Sequence, residues 1–444
     1  VLRKSFFIIK MCNFFSIALE KNNKTLKLTI LFLFGRLWIY IILRLHMNRF
    51  LFLSLMLLFS FVIIGLNADD VDASSPVGYF RTEIPANSQK SLSLPLIPFD
   101  SEANKIFLNL LTPEATEAAA DKLVRWNINQ YISIYKASSS DPTKDGKFLN
   151  SDGTLSDAQL SITEGFFVQN AHSVNQTLFL CGKVPVSDTL SITFPGSQTT
   201  LFSLPYGPLQ INSSGLGAVA HGAATEANNP DVISTTDSSV TAWLFDDGDS
   251  TNANYLKWLD ASTGVASTQT LLPTEAYWFQ RQISDPFTLT TSRPYANPFS
   301  STSSVEITNV EVNAALNAVT LTISCSGETG EKLEILFKDY SETDSFDLSS
   351  GWQIAATDIA TNGATSITWS DLGESSPTAP IVARTTVSTG SPIRLYIVGR
   401  ADEDTDSDGL NSTRERYCIG SNPGLADSDS DLMPDGWEVT WGLS

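Results

Sequence analysis

Near the C-terminus, carboxylates recur at alternate positions in two twelve-residue stretches, Asp404 to Glu415 and Asp427 to Glu438. The first places Asp404, Asp406 and Asp408 at positions 1, 3 and 5, Leu410 at position 7 and Glu415 at position 12. The second places Asp427, Asp429 and Asp431 at the same points, then Met433, Asp435 and Glu438 at positions 7, 9 and 12. Calcium is a hard cation that takes about six to eight oxygens, and such a loop supplies them: alternating side chains, the carbonyl at 7, a group at 9 acting through water, and a bidentate Glu at 12. The predicted Ca2+ ligands are therefore these carboxylates together with the carbonyls of Leu410 and Met433. Position 6 needs a sharp turn, which Gly409 suits. Leu432 stands there in the second loop. A left-handed residue with a side chain costs roughly 1–2 kcal/mol, so the second site should be the weaker. The competing reading is a solvated acidic run with no ligand.

The strings DTDSDGLNSTRE and DSDSDLMPDGWE resemble thrombospondin type 3 and related acidic calcium repeats, which follow β domains in many secreted bacterial proteins. The resemblance covers residues 402–444 and implies a structural rather than a signalling use of calcium. An EF-hand or dockerin would place a helix of about three turns between the loops. Arg416 to Ala426 holds Gly420, Pro423 and Gly424 instead, which excludes a long helix. The first loop runs on after Glu415 to Gly420-Ser421-Asn422-Pro423, whereas the second stops at Ser444. We read the second repeat as truncated, with any anchor or catalytic domain beyond it.

The elements that must carry these loops read as β structure. From Ser74 onward Ser, Thr, Gly, Asn and Asp punctuate short runs of β-branched and aromatic residues, such as Tyr131–Lys136, Thr189–Phe194, Val319–Ser324 and Ile393–Val398. That pattern predicts an all-β fold. One helix is expected where Thr112 is an N-cap before Pro113, Glu114 and an alanine-rich stretch to Leu123. Matching strings recur about 110 residues apart. LSLPL at Leu92–Leu96 matches FSLPY at Phe202–Tyr206, GFFVQN at Gly165–Asn170 matches AYWFQR at Ala276–Arg281, and Thr177-Leu178 matches Thr288-Leu289. Two copies of one β unit are predicted, at 75–190 and 191–298. The strings SPVGYFRTEIP and YWFQR with the later RPY are also similar to an uncharacterised family of secreted β proteins from environmental bacteria, a likeness that implies no activity.

Residues 302–400 carry strand candidates at Val305–Val312, Val319–Cys325, Leu333–Lys338, Gly351–Ala356, Ser366–Trp369 and Ile393–Arg400, which suits a β-sandwich. The segment resembles the immunoglobulin-like modules that often precede acidic calcium repeats, without the Cys and Trp spacing of an immunoglobulin domain. The acidic segment 402–444 follows with almost no linker.

Met47-Asn48-Arg49 followed by the apolar run Phe50–Leu66 predicts a signal peptide at 47–68, cleaved after Ala68. An uncleaved anchor is the other reading. Residues 1–46, basic and apolar with no initiator Met, read as an upstream extension outside the folded protein. Beyond Ala68 the chain holds 19 basic and 47 acidic side chains, a balance that disfavours nucleic acid and anionic membranes and favours cations. Cys12, Cys181, Cys325 and Cys418 lie far apart with no metal-ligand spacing, leaving at most one bridge among the last three. His172 and His221 read as solvated loop residues. No nucleophile, zinc, P-loop or dinucleotide motif is present, and Asp-Gly pairs read as turns, so no catalytic residue is assigned. Asp246, Asp247 and Asp249 could hold another cation. Trp243, Trp258, Tyr277 and Trp278 read as core, with a sugar-stacking face as the alternative.

Together these readings predict a bacterial secreted or outer-envelope protein with a structural or adhesive role, stabilised by calcium, whose partners include extracellular polysaccharide or a surface protein. The other expectations are a glycan-binding module and an accessory fragment of a longer secreted hydrolase.

Overall fold

The computed structural model describes residues 71–443 apart from 109, 217–222, 225–227, 300–302, 314–317 and 373–391. The signal-peptide and upstream-extension expectations, Cys12 and His221 lie outside these residues. The chain is all-β, as predicted. The first stretch forms β1 (Val77–Ile84), β2 (Ser88–Leu92), β3 (Lys122–Asn127), β4 (Gln130–Lys136), β5 (Phe148–Leu149), β6 (Phe166–Asn170) and β7 (Gln176–Lys183), with a single short helix, α1 (Ala103–Ile106), after β2. The next forms β8 (Thr189–Phe194), β9 (Thr199–Phe202), β10 (Leu209–Gln210), β11 (Val232–Thr235), β12 (Thr241–Leu244), β13 (Trp258–Asp260), β14 (Thr270–Leu271), β15 (Tyr277–Gln280) and β16 (Phe287–Ser292). All six candidates after residue 302 are strands: β17 (Glu306–Asn313), β18 (Ala318–Ser324), β19 (Lys332–Tyr340), β20 (Gln353–Ala360), β21 (Ser366–Asp371) and β22 (Ile393–Arg400).

Two five-stranded sheets share one plan. The first runs β2-β6-β3-β4-β5 and the second β9-β15-β11-β12-β13. Leu92 faces Phe166 in one and Phe202 faces Tyr277 in the other, so the matched strings occupy corresponding strands. Polar contacts correspond too. Asn104 accepts from the Phe148 amide and donates to the Ser156 carbonyl, as Asn212 does with Trp258 and Ser267. The buried Asp121 takes the amide of Ala171, as Asp231 takes that of Gln282. The sequence reading missed these anchors, because a buried Asn or Asp in a polar stretch looks like turn chemistry.

The outer ribbons of the two stretches differ. In the second, β8 pairs only with β16 among the described strands, and its hydroxyl-bearing positions, Thr189, Ser191 and Thr193, stay exposed. In the first, β1 pairs with β7 on one side and β22 on the other, giving the sheet β20-β19-β22-β1-β7. This sheet therefore draws strands from both the 75–190 and 302–400 segments. One of its faces packs on the three-stranded sheet β17-β18-β21 through Val77, Tyr79, Leu321, Ile335 and Val398. Its other face joins the first five-stranded sheet through Phe80, Leu336, Ile393, Leu395 and Ile397. Burial on both faces explains why β22 reads as a nearly continuous apolar run rather than an alternating one.

The expected helix from Thr112 to Leu123 does not form. Glu114 is held in a parallel bridge with Ala137, the Thr112 amide donates to Asp121, and β3 begins at Lys122. Only a turn at Thr116–Ala120 remains, too short to offset helix nucleation. His172 is half-buried rather than solvated, its Nε2 3.6 Å from Asp121. Cys181, Cys325 and Cys418 are separate thiols, and burial pushes Cys181 and Cys418 up to about 12.

Candidate metal centre

The acidic segment begins where β22 ends and folds back over the sheet. A one-turn helix, α2 (Ser412–Arg414), is capped by Asn411, whose side chain accepts the Arg414 amide, and continues into a wide π-helical turn at Glu415–Ile419. Gly420, with φ 86°, closes that turn by donating to the Glu415 carbonyl. Gly420 to Pro434 is irregular, and a short helix, α3 (Asp435–Trp441), follows. The expectation of no long inter-loop helix matches this path. Helix α3 itself was not foreseen, although Pro434, the acidic first turn and Gly442 in the left-handed region are its signals.

The two loops carry the same internal bonds. Asp404 accepts the amides of Ser407 and Gly409, and Asp427 accepts those of Ser430 and Leu432. The buried Leu410 donates its amide to Asp408, and Met433 donates to Asp431. These bonds curl each loop so that three carboxylates converge. Asp404, Asp406 and Asp408 each offer an oxygen within 4.8 Å of the others, as do Asp427, Asp429 and Asp431. Position 6 is left-handed in both, with φ 93° at Gly409 and 79° at Leu432. The Leu432 side chain is 90% exposed and packs on nothing that offsets its backbone strain. Leu432→Gly should therefore tighten the second loop by ~0.5–1 kcal/mol once the flexibility of glycine is subtracted. In a loop that takes calcium as the sequence predicts, this corresponds to a roughly two- to five-fold gain in affinity, read by calorimetry.

The remaining acidic side chains are divided unevenly. Asp435, expected at position 9 of the second loop, brings an oxygen within 4.8 Å of Asp408 and Glu415 of the first. Its carboxylate also accepts the Ser428 amide and hydroxyl. Glu415 is fully buried, and its Oε2 has no hydrogen-bond partner; nor has the buried Oδ2 of Asp406. Burial, then the charges of Asp406, Asp408 and Asp435, pushes the Glu415 carboxyl up to about 8. Burial likewise raises Asp406, with Asp408 adding to it. Glu438, on the first turn of α3, is raised by desolvation and then by Asp431, Asp429, Asp435 and Asp427. Every donor in this region is oxygen, the set suited to a hard divalent ion, and the orphaned buried oxygens fit one.

The first loop is fastened to the sheet. Arg414 reaches the fully buried Glu334 of β19, and Thr413 sits against Gly399, where an added Cβ would meet Thr413 Oγ1 at 2.2 Å. Tyr417 stacks on Phe299 with ring centroids 5.0 Å apart and an interplanar angle of 12°, and its carbonyl accepts the Trp352 amide.

The other candidates lie elsewhere. The amides of Gly248, Asp249 and Thr251 and the Asn252 side chain bond to Asp246, Asp247 and Asp249, which satisfies their turn. Trp258 and Tyr277 are core residues. Trp243 and Trp278 are half-buried, and Trp278 meets Trp126 edge to face at 5.1 Å rather than in a coplanar row. A shallow cavity lies between Pro208, Gln210, Gln269, Thr270, Leu272 and Thr343. Among the described residues no helix is long and apolar enough to cross a membrane. No known protein family, curated protein or solved structure matches the chain.

Proposed function

We propose that the chain is an exported structural or adhesive protein whose acidic loops bind calcium and fix its C-terminal segment to the β scaffold. The observation that carries this reading is Glu415, a buried carboxylate with an orphaned oxygen facing other carboxylates. Burying like charges together is unfavourable unless a cation joins them. Extracellular calcium modules bind at roughly 10⁻⁴–10⁻³ M, which matches a calcium-rich exterior. The charged and apolar pattern of residues 47–68 supports export, and the shared plan of the two five-stranded sheets supports descent from one duplicated unit. This reading gives the chain no catalytic role. A glycan-binding role has less support, because the outward aromatic rings meet edge to face and offer no flat platform.

Trp437 and Trp441, 45% and 66% exposed on α3, report on the loops directly. Calcium titrated into the full chain should change tryptophan fluorescence with a midpoint of roughly 10⁻⁴–10⁻³ M and slow proteolysis between Asp404 and Glu438. Millimolar calcium that leaves both signals unmoved would make the segment a solvated acidic tail.

A further inference from the structure

We propose that a separate cation, shared between the two loops, is held by Asp408, Glu415 and Asp435 and locks α3 onto the first loop. The proposal rests on the calcium reading but goes beyond one ion per loop. The three carboxylates each contribute an oxygen within 4.8 Å of the others, and this group has only Asp408 in common with the Asp404, Asp406 and Asp408 group, so Glu415 and Asp435, expected at position 12 of the first loop and position 9 of the second, are drawn to the shared site instead. Both Glu415 and Asp435 are buried, and Glu415 Oε2 lacks any partner.

The surroundings supply no balancing charge. Among the described residues no basic side chain forms an ion pair with Asp408, Glu415 or Asp435, and the nearby Arg414 is committed to Glu334. Three carboxylates drawn together away from water require a proton or a metal ion. The backbone is shaped for the closeness. The Gly436 amide donates to Asp408 Oδ2 at 2.5 Å, and an added Cβ on Gly436 would stand 2.6 Å from the Asp408 carbonyl oxygen. Glycine is what lets the start of α3 come this near. The donor set is all oxygen, so the ion belongs to the hard divalent class, with calcium as the probe.

The test is calcium stoichiometry by calorimetry and equilibrium dialysis on the full chain, first stripped with chelator. Three ions are expected, one per loop and one shared. Asp435→Asn keeps an acceptor for the Ser428 amide and leaves Asp427, Asp429 and Asp431 of the second loop intact, but removes a ligand charge from the shared site, and should leave two. Gly436→Ala removes no carboxylate, yet should lose the same ion by pushing α3 away. Two ions in the wild type, or three in Asp435→Asn, would overturn the shared site while leaving the loop sites standing. No bound ion at all would overturn the calcium reading itself. If a variant does not fold by circular dichroism, the wild-type count decides.

Discussion

Arg414→Ala should destabilise the chain by roughly 3–5 kcal/mol and weaken the calcium binding proposed for the loops, although Arg414 supplies no carboxylate to them. Glu334 is fully buried on β19, and its Oε2 has no partner, so the guanidinium is its principal counter-charge. Removing one member of a buried pair strands the other, which accounts for the magnitude. The next residue is Glu415, so the same change frees the loop that must present its carboxylate. Chemical denaturation with calcium and with chelator would measure both effects. Arg414→Leu paired with Glu334→Met should recover much of the loss, because an apolar replacement strands no charge. Gly399→Ala tests the same fastening from the other side. Its Cβ would overlap Thr413, which should cost ~1–3 kcal/mol and weaken calcium binding with every carboxylate intact. A loss under about 1 kcal/mol in Arg414→Ala would mean that the contact is ornamental.

The second large effect is a pH dependence that calcium reverses. Burial, then the charges of Asp406, Asp408 and Asp435, pushes the Glu415 carboxyl up to about 8 from an ordinary value of 4.5. Between those values the folded chain holds a proton that the unfolded chain has released, so stability falls as pH rises. The contribution is complete below about pH 4 and gone once pH passes about 8. Asp406 and Glu438 are shifted in the same direction and broaden the decline. Calcium requires the ionised carboxylates, so binding expels these protons, and affinity should climb up to about tenfold per pH unit for each proton released. Melting curves from pH 5 to pH 8.5 should therefore slope downward in chelator and upward in millimolar calcium. A flat chelator series would show that Glu415 is not held as the structure places it.

The convergence of the acidic side chains was legible in the sequence because carboxylates at alternate positions of a short loop are a local signal. The strands after residue 302 were legible for a similar reason, since alternation and β-branching are local signals. What escaped was set by distant partners. Nothing near Asp435 announces that α3 turns its carboxylate toward Glu415. Nothing in Thr112–Leu123 shows that a bridge from Ala137 and a buried Asp121 claim the backbone groups a helix would need. The sandwich read from residues 302–400 also takes β1 and β7 into its sheet, because β22 presents an apolar face in both directions and needs a second neighbour. A fragment starting at residue 300 would lack β1 and expose that edge of β22.

The pairing of β1 with β22 sets an order of events during synthesis. Ser74 accepts the Val398 amide across 324 residues, and Val77 to Phe80 find their partners at Tyr396 to Ile393. The strand that emerges early can join β7 once that has been made, but its other edge waits until nearly the whole chain has been translated. At roughly 5–20 residues per second, the wait is on the order of tens of seconds. Throughout it, an apolar edge containing Val77, Tyr79 and Phe80 stands open to other nascent chains. Chains interrupted before Ile393 never close it and should accumulate as aggregates rather than as shorter soluble proteins.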